Sequence, residues 1–354
     1  MEESDNRLTH MKIECKSTVE LVGGWSPEAL RQRLEGARSI VMTAHTNADG
    51  DAVGSLTGMY AILRRVTQAE LVSMLPDGCP EDLAWLPHTE QILNGKKDID
   101  RCREAIEKAD LIVAMDLSTL DRTGVLADLL QKVKASRILF DHHVGPDRGS
   151  FEMVMSDTDI SSTCELIFWT MSQTFGMDAI GMDAATSLYT GICTDTGTFS
   201  YSNRNESLYL AAACLSQMGI DPMEINHQIK NVFSFNRLQF FGYAMSQLLT
   251  EYPAQEMALM VIRQKDMDRY KVESSELTGL VNEVMKLRDI DCAILIREEE
   301  DRVRLSLRSK SKVDVNQLSH KLFDGGGHER AAGATSHLSL DATVEKVKKE
   351  LGLK

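Results

Sequence analysis

The stretch HTNADGDAVGS, His45 to Ser55, places an imidazole and two carboxylates at i, i+4 and i+6, with Gly50 between the last two. Three kinds of structure use such residues: a solvated turn, a calcium loop, or part of a catalytic metal site. Asn, Asp and Gly are turn formers, so the stretch by itself is explained as well by a turn. An EF-hand loop needs a longer run of alternating oxygen ligands ending in glutamate, which Ala52 to Ser55 do not supply. The metal reading therefore depends on matching ligands elsewhere.

Three further segments carry them: Asp116, the run Asp141-His142-His143, and Asp195. Carboxylate oxygen and imidazole nitrogen without thiolate suit Mn²⁺, Mg²⁺, Fe²⁺ or Co²⁺ rather than structural zinc. There are enough such groups for two ions, and two ions about 3.5–4 Å apart can polarise a phosphoryl oxygen and generate hydroxide at neutral pH. Each segment also has a plain explanation. Asp116 can cap a helix, the histidine pair can sit satisfied in a core, and Asp195 can form an Asx-turn. Four independent coincidences, each just after an apolar run, explain the pattern less well than one shared site. Ser118, Ser161 and Ser162 read as helix caps or loop residues, since a two-metal hydrolase needs no serine nucleophile.

The elements that must position these groups are legible as apolar runs. SIVMTA (Ser39 to Ala44) reads as a buried strand delivering His45 at its carboxyl end, and Ala52 to Arg65 returns to helical spacing. ELVSML (Glu70 to Leu75), LIVAMD (Leu111 to Asp116) and RILFDHH (Arg137 to His143) are further strands, with helical segments between. Ser26-Pro27 is a helix start, and Asp183 to Cys193 a helix leading into TDTGTF. Short apolar strands alternating with helices predict an α/β fold with a doubly wound, mostly parallel sheet, in which ligands gather at strand carboxyl ends.

From Ile225 to Tyr252 there is no strand signature, and a helical linker is expected. The pattern then restarts with strands at Met257 to Ile262, Cys292 to Ile296 and Val303 to Arg308, a helix at Glu276 to Leu287, a glycine loop FDGGGHERAAG, and a terminal helix from Asp341. This is a second, smaller α/β domain. The divisions are 1–224 for the catalytic domain, 225–252 for the linker and 253–354 for the second domain. Phe233, Phe235, Phe240, Phe241 and Tyr243 form an aromatic cluster suited to packing between domains or against another subunit of a homodimer.

Length and composition agree. The 354 residues, 43% hydrophobic and 26% charged, describe a globular chain long enough for two cores. The acidic, polar start MEESDNRLTH is unlike a secretory signal, and no apolar run approaches a membrane span. Seven scattered cysteines without a C-x-x-C pair read as reduced core residues of a cytoplasmic protein. A net charge of −14 argues against gripping long duplex nucleic acid, and leaves room for a small anionic ligand held by cations.

HTNADGDAVGS, Asp116 within AMDLSTLDRTG, FDHHVGP and TDTGTF together resemble the four motifs of the DHH phosphoesterase superfamily. FDGGGHERAAGA resembles the signature of the DHH-associated domain that often follows, so the similarity runs in order over most of the chain. Ala48 stands where many relatives carry proline, which touches loop stiffness and no ligand. The layout is similar to the nanoRNase and 3′,5′-bisphosphate-nucleotide phosphatase group. The resemblance implies two divalent cations, Mn²⁺ first among them, with His45 and Asp49 on one, Asp51, His142 and Asp195 on the other, and Asp116 bridging. It implies that Gly50 lets the turn send Asp49 and Asp51 to different ions. His143 would face the substrate phosphate, with Asp141 fixing an imidazole.

The second domain would bind substrate through Gly325, Gly326, Gly327 and His328, with Arg308 on a second phosphate and Ser309 assisting. Phe199 or Tyr201 could stack a base, a core role being equally open. The expected reaction is hydrolysis of short oligoribonucleotides to mononucleotides, or of pAp. The alternatives are a cyclic or linear dinucleotide, polyphosphate, and a nucleotide sensor without catalysis.

Overall fold

The computed structural model describes residues 26–200, 205–230, 234–323 and 325–353. The chain divides into two compact units, Met1–Asn231 and Val232–Lys354.

The first unit carries strands β1 (Ser39–Thr43), β2 (Glu70–Leu75), β3 (Leu93–Asn94), β4 (Leu111–Met115), β5 (Ser136–Asp141) and β6 (Met153–Ser156). Its helices are α1 (Pro27–Gly36), α2 (Gly50–Val66), α3 (Ile99–Lys108), α4 (Ala127–Lys132), α5 (Thr163–Phe175), α6 (Met182–Asp195), α7 (Glu206–Ser216) and α8 (Pro222–Lys230). Ser26 caps α1 from the expected position, accepting the Ala29 amide at 3.1 Å ahead of Pro27. The strands pair in parallel in the order β3-β2-β1-β4-β5-β6, as the alternation of strands and helices predicts. The sequence misses β3 and β6, which at two and four residues are too short to stand out.

Both faces of this sheet are covered. Ile40, Met42, Val113 and Phe140 pack on one side with Leu56, Met59, Phe168 and Trp169, while Val41, Ile112 and Leu139 face Cys102, Ile106 and Leu130 on the other. Adjacent residues of a strand thus serve different cores, which is why these strands read as continuous apolar runs.

Helices α2 and α6 meet along small residues. A Cβ on Gly54 would lie 2.5 Å from the Ser187 carbonyl oxygen, and one on Gly50 would lie 2.3 Å from Thr194 Oγ1. Gly54→Ala is therefore expected to destabilise the unit by about 1–3 kcal/mol, because the obstacle is backbone. Urea unfolding measures it, and an unchanged midpoint would mean that the two helices can part without cost.

The second unit carries α9 (Phe235–Tyr243), β7 (Leu249–Tyr252), β8 (Met257–Ile262), α10 (Gln264–Tyr270), α11 (Leu280–Val284), β9 (Cys292–Glu298), β10 (Val303–Ser309), α12 (Val315–Phe323), β11 (Gly326–His328), β12 (Ala331–Ser336) and α13 (Leu340–Leu351). The strand order is β11-β12-β10-β9-β8-β7, with only β8 and β9 parallel among the described pairs.

Four expectations need correction. The stretch read as strandless ends in β7, whose half-exposed LTEY lacks an apolar run and is held by pairing to β8. The helix expected over Glu276 to Leu287 shrinks to a 3₁₀ turn at Ser274–Leu277 and the five residues of α11, separated by Gly279 in a left-handed conformation. The glycine loop is a hairpin, β11 paired with β12. Cys214 is disulfide-bonded, whereas Cys79, Cys102, Cys164, Cys193 and Cys292 are free thiols.

Within the former linker stretch, Phe240 and Phe241 are core residues of the second unit, Tyr243 packs against that core and Phe235 is 73% exposed; Phe233 lies outside the described residues. No described helix is long and apolar enough to cross a membrane.

Candidate active site

The sheet order reverses direction between β1 and β4, and a doubly wound sheet opens a crevice at the carboxyl ends of the two strands at such a switch. His45 follows β1 and Asp116 follows β4, so they stand on either side of that crevice. Asp141 ends β5, with His142 and His143 after it; Asp49 caps α2, Asp51 lies in its first turn, and Asp195 ends α6. The first unit alone brings all eight together.

The cluster forms overlapping groups. His45, Asp49 and Asp116 make one, Asp51, His142 and Asp195 a second, and Asp116, His142 and His143 a third, with candidate ligand atoms in each within 4.8 Å of one another. His45 Nε2 is 3.3 Å from Asp116 Oδ2 and 3.9 Å from Asp49 Oδ1. His142 Nε2 is 3.7 Å from Asp116 Oδ1, 3.7 Å from Asp195 Oδ2 and 3.8 Å from Asp51 Oδ2. The two oxygens of Asp116 thus face different groups.

The supporting hydrogen bonds set tautomers and orientation. His45 Nδ1 lies 2.7 Å from the Thr46 carbonyl, so Nδ1–H donates there and the ring is held with Nε2 toward the carboxylates. His143 Nδ1 donates to Asp141 Oδ1 at 2.8 Å. Asp51 is 1% exposed, and its oxygens accept the Thr163 amide at 2.7 Å and the Cys164 amide at 2.9 Å, at the N-terminus of α5. That end carries partial positive charge, the natural place for a buried carboxylate. Asp116 has φ 58°, a left-handed conformation that Asp tolerates better than most residues.

Burial, with Asp116 and Asp49 close by, pushes Asp51 well above the usual carboxylate range. Burial and the charges of Asp51 and Asp116 push Asp195 up to about 8, although its side chain keeps 31% exposure. Burial works against protonation of His45, but the hydrogen bond and charge of Asp116 prevail and raise it to about 9. His143 is also raised: burial opposes it, and Asp141 and Asp116 outweigh the burial. Asp116 itself goes down, because His45, then His142 and His143, overcome its burial.

The donor set fits divalent cations. It is oxygen- and imidazole-rich, its carboxylates repel one another, and the fully buried Asp141 retains an Oδ2 without a hydrogen-bond partner.

Gly50 departs from its expected role. It is the first residue of α2 with no unusual φ, and the need for glycine comes from Thr194 of α6 pressing against it. Thr163 escaped the sequence reading, although Ser162 three residues before Glu165 marks the start of α5; the Ser162 hydroxyl accepts the Glu165 amide at 3.1 Å.

The remaining expected residues belong to the second unit, except for the aromatic pair. Arg308 Nε donates to Asn282 Oδ1 at 3.1 Å, and the Ser309 hydroxyl donates to the Val313 carbonyl at 2.6 Å. A Cβ on Gly325 would lie 2.2 Å from the Gly333 carbonyl oxygen and one on Gly327 2.5 Å from that of Ala331, so hairpin packing accounts for both glycines. Gly326 and His328 are exposed on β11. Phe199, at φ 61°, stacks on Tyr209 with centroids 5.9 Å apart; Tyr201 lies outside the described residues.

Comparison with known proteins agrees with this geometry. Residues 39–192 match the DHH family, N-terminal domain, and residues 256–352 match the DHHA1 domain. The chain is 27% identical to the bifunctional oligoribonuclease and PAP phosphatase NrnA of Bacillus subtilis over 84% of this chain and 89% of that protein. It is 28% identical to the protein of the same name from Thermus thermophilus, over 87% of each. A crystal structure of an exopolyphosphatase-related protein from Bacteroides fragilis superposes with a TM-score of 0.88 at 28% identity, covering 91% of this chain and 94% of that one. The chain belongs to the DHH phosphoesterase superfamily, with a DHH N-terminal domain followed by a DHHA1 domain.

Proposed function

We propose that this phosphoesterase hydrolyses short oligoribonucleotides to mononucleotides and removes the 3′-phosphate of pAp, using two divalent cations of which Mn²⁺ is the best suited. The carrying observation is Asp116, whose two carboxylate oxygens face two separate ligand groups at the switch of the sheet. His45 and Asp49 would complete one cation site, and Asp51, His142 and Asp195 the other. When bound, the cations supply Lewis acidity toward the phosphoryl oxygens and a nucleophile from water at neutral pH.

The protein's own groups do the rest. His143, its proton favoured by Asp141 and Asp116, donates a hydrogen bond to the substrate phosphate and offsets charge on it. Asp141 keeps that imidazole in place. The α5 amides hold Asp51 in place and oppose the burial that raises it. The named activities of the two NrnA relatives support the substrate class, and the acidic balance favours short ligands.

In the second unit, Arg308, Ser309, Gly325, Gly326, Gly327 and His328 would bind the part of the substrate that does not react. Arg308→Ala is then expected to raise KM for a dinucleotide about tenfold while kcat changes less than threefold, a loss of uniform binding. Steady-state kinetics checks it; an unchanged KM removes Arg308 from the site.

Anion-exchange analysis of products, with Mn²⁺ present, tests the reading on di- to pentaribonucleotides, pAp, a cyclic dinucleotide and polyphosphate side by side. Mononucleotides from the oligomers and phosphate from pAp support it. Turnover of polyphosphate alone would transfer the assignment to the chemistry named for the Bacteroides relative. Metal binding without turnover of any of the four would favour a sensor.

A further inference from the structure

We infer that Thr163 is a positioning residue that fixes the rotation of the Asp116 carboxylate, so that one oxygen serves each cation. The assignment rests on the two-cation reading proposed above.

Thr163 is the first residue of α5 and is fully buried. Its hydroxyl donates to Asp116 Oδ1 at 3.0 Å, while its own amide donates to Asp51 Oδ2 at 2.7 Å. One residue thus holds a carboxylate of each group, by two different atoms. The hydroxyl matters because a carboxylate turns easily about its last torsion, which has broad wells. Asp116 Oδ2 lies 3.3 Å from His45 Nε2, and Oδ1 lies 3.7 Å from His142 Nε2 and 3.6 Å from His143 Nδ1. Turning the group would take both oxygens off these lines at once.

The tether is itself anchored. Ser162 caps α5, and the fully buried Glu165 accepts the Ser161 amide at 2.9 Å and the Ser207 hydroxyl at 2.5 Å, tying the start of α5 to α7. The hydroxyl therefore starts from a fixed point rather than following the carboxylate.

The two bonds can be separated by mutation. Thr163→Val keeps the shape, the β-branch and the amide that holds Asp51, and removes only the O–H to Asp116. Thr163→Ser restores that O–H. Isothermal titration of the metal-free proteins with Mn²⁺ is the readout, followed by turnover at limiting and saturating Mn²⁺. Thr163→Val is expected to weaken Mn²⁺ binding about 10–100-fold, as loss of a partner behind a metal ligand does. Its kcat/KM should fall most at limiting Mn²⁺, and Thr163→Ser should stay within about threefold of native.

A native affinity retained in Thr163→Val overturns the assignment while leaving the two-cation reading intact. A native protein that binds no Mn²⁺ overturns that reading and the assignment with it. Should the valine variant fail to fold, Thr163→Ala against Thr163→Ser gives the same comparison.

Discussion

Asp116→Asn is expected to lower turnover of every phosphoester substrate by about a thousandfold or more, with the protein still folded. Asparagine is the informative replacement because of the backbone. At φ 58° an alanine would add about 1–2 kcal/mol of left-handed strain, confusing loss of chemistry with loss of stability. Asn tolerates that conformation and matches the carboxylate in shape, but it carries no charge and replaces one oxygen with an NH₂. The oxygen facing one group would be lost even if the other stays bonded to Thr163. Titration with Mn²⁺ should show fewer ions bound, while urea unfolding in chelator shows a cooperative transition. Turnover within tenfold of native would mean that Asp116 bridges nothing essential.

The second large effect concerns pH and metal together. In the metal-free protein, His45 is raised from 6.5 to about 9 and Asp195 from 3.8 to about 8, and Asp51 and His143 are raised as well. A group raised on folding adds stability that is complete below its unfolded value and vanishes as pH climbs through the folded one. All four therefore act in one direction: folding takes up protons between about pH 4 and pH 9. Asp116 is lowered and works the other way, adding stability above its unfolded value that is lost only in acid, as pH falls through the folded one.

Metal-free protein should accordingly lose stability as pH rises from 6 to 9. The buried His45 alone corresponds to about 3 kcal/mol, or about 6–12 °C in Tm for a unit of this size. Mn²⁺ should flatten the dependence, because cations replace the protons and expel them. Titration at pH 7 in buffers of different ionisation enthalpy would register proton release on binding. A metal-free Tm that climbs from pH 6 to 9 would sink this account.

What the sequence shows and what it hides follow from the same physics. His45, Asp116 and Asp141 are legible because each ends a run of apolar residues buried on both faces, and Asp49 because a carboxylate before a helix reads as a cap. The parallel sheet is legible for the same reason. Strands β3 and β7 are not, since two residues at an edge and a half-exposed LTEY owe their conformation to a neighbour. The glycines of the second unit carry a second demand. A GGG run suggests an anion cradle, and Gly325 and Gly327 are also required by the closeness of β12. Gly50 is similar: its spacing between two aspartates suggests a turn, while the demand comes from Thr194, far along the chain. Long-range packing of this kind leaves no local mark, and Thr163 was missed because its partner is 47 residues away.

The placement of the ligands also sets an order in time. His45, Asp49 and Asp116 are all present once β4 has been synthesised, whereas the group of Asp51, His142 and Asp195 waits for the last residue of α6. Parallel strands close only after their crossovers exist, so neither group can form by local collapse as the ligands of a small zinc module do. The residues of the first group therefore leave the ribosome before those of the second are complete. A chain stopped before Asp195 would hold every residue of the first group, while Asp116 would still lack the last residue of its other neighbour.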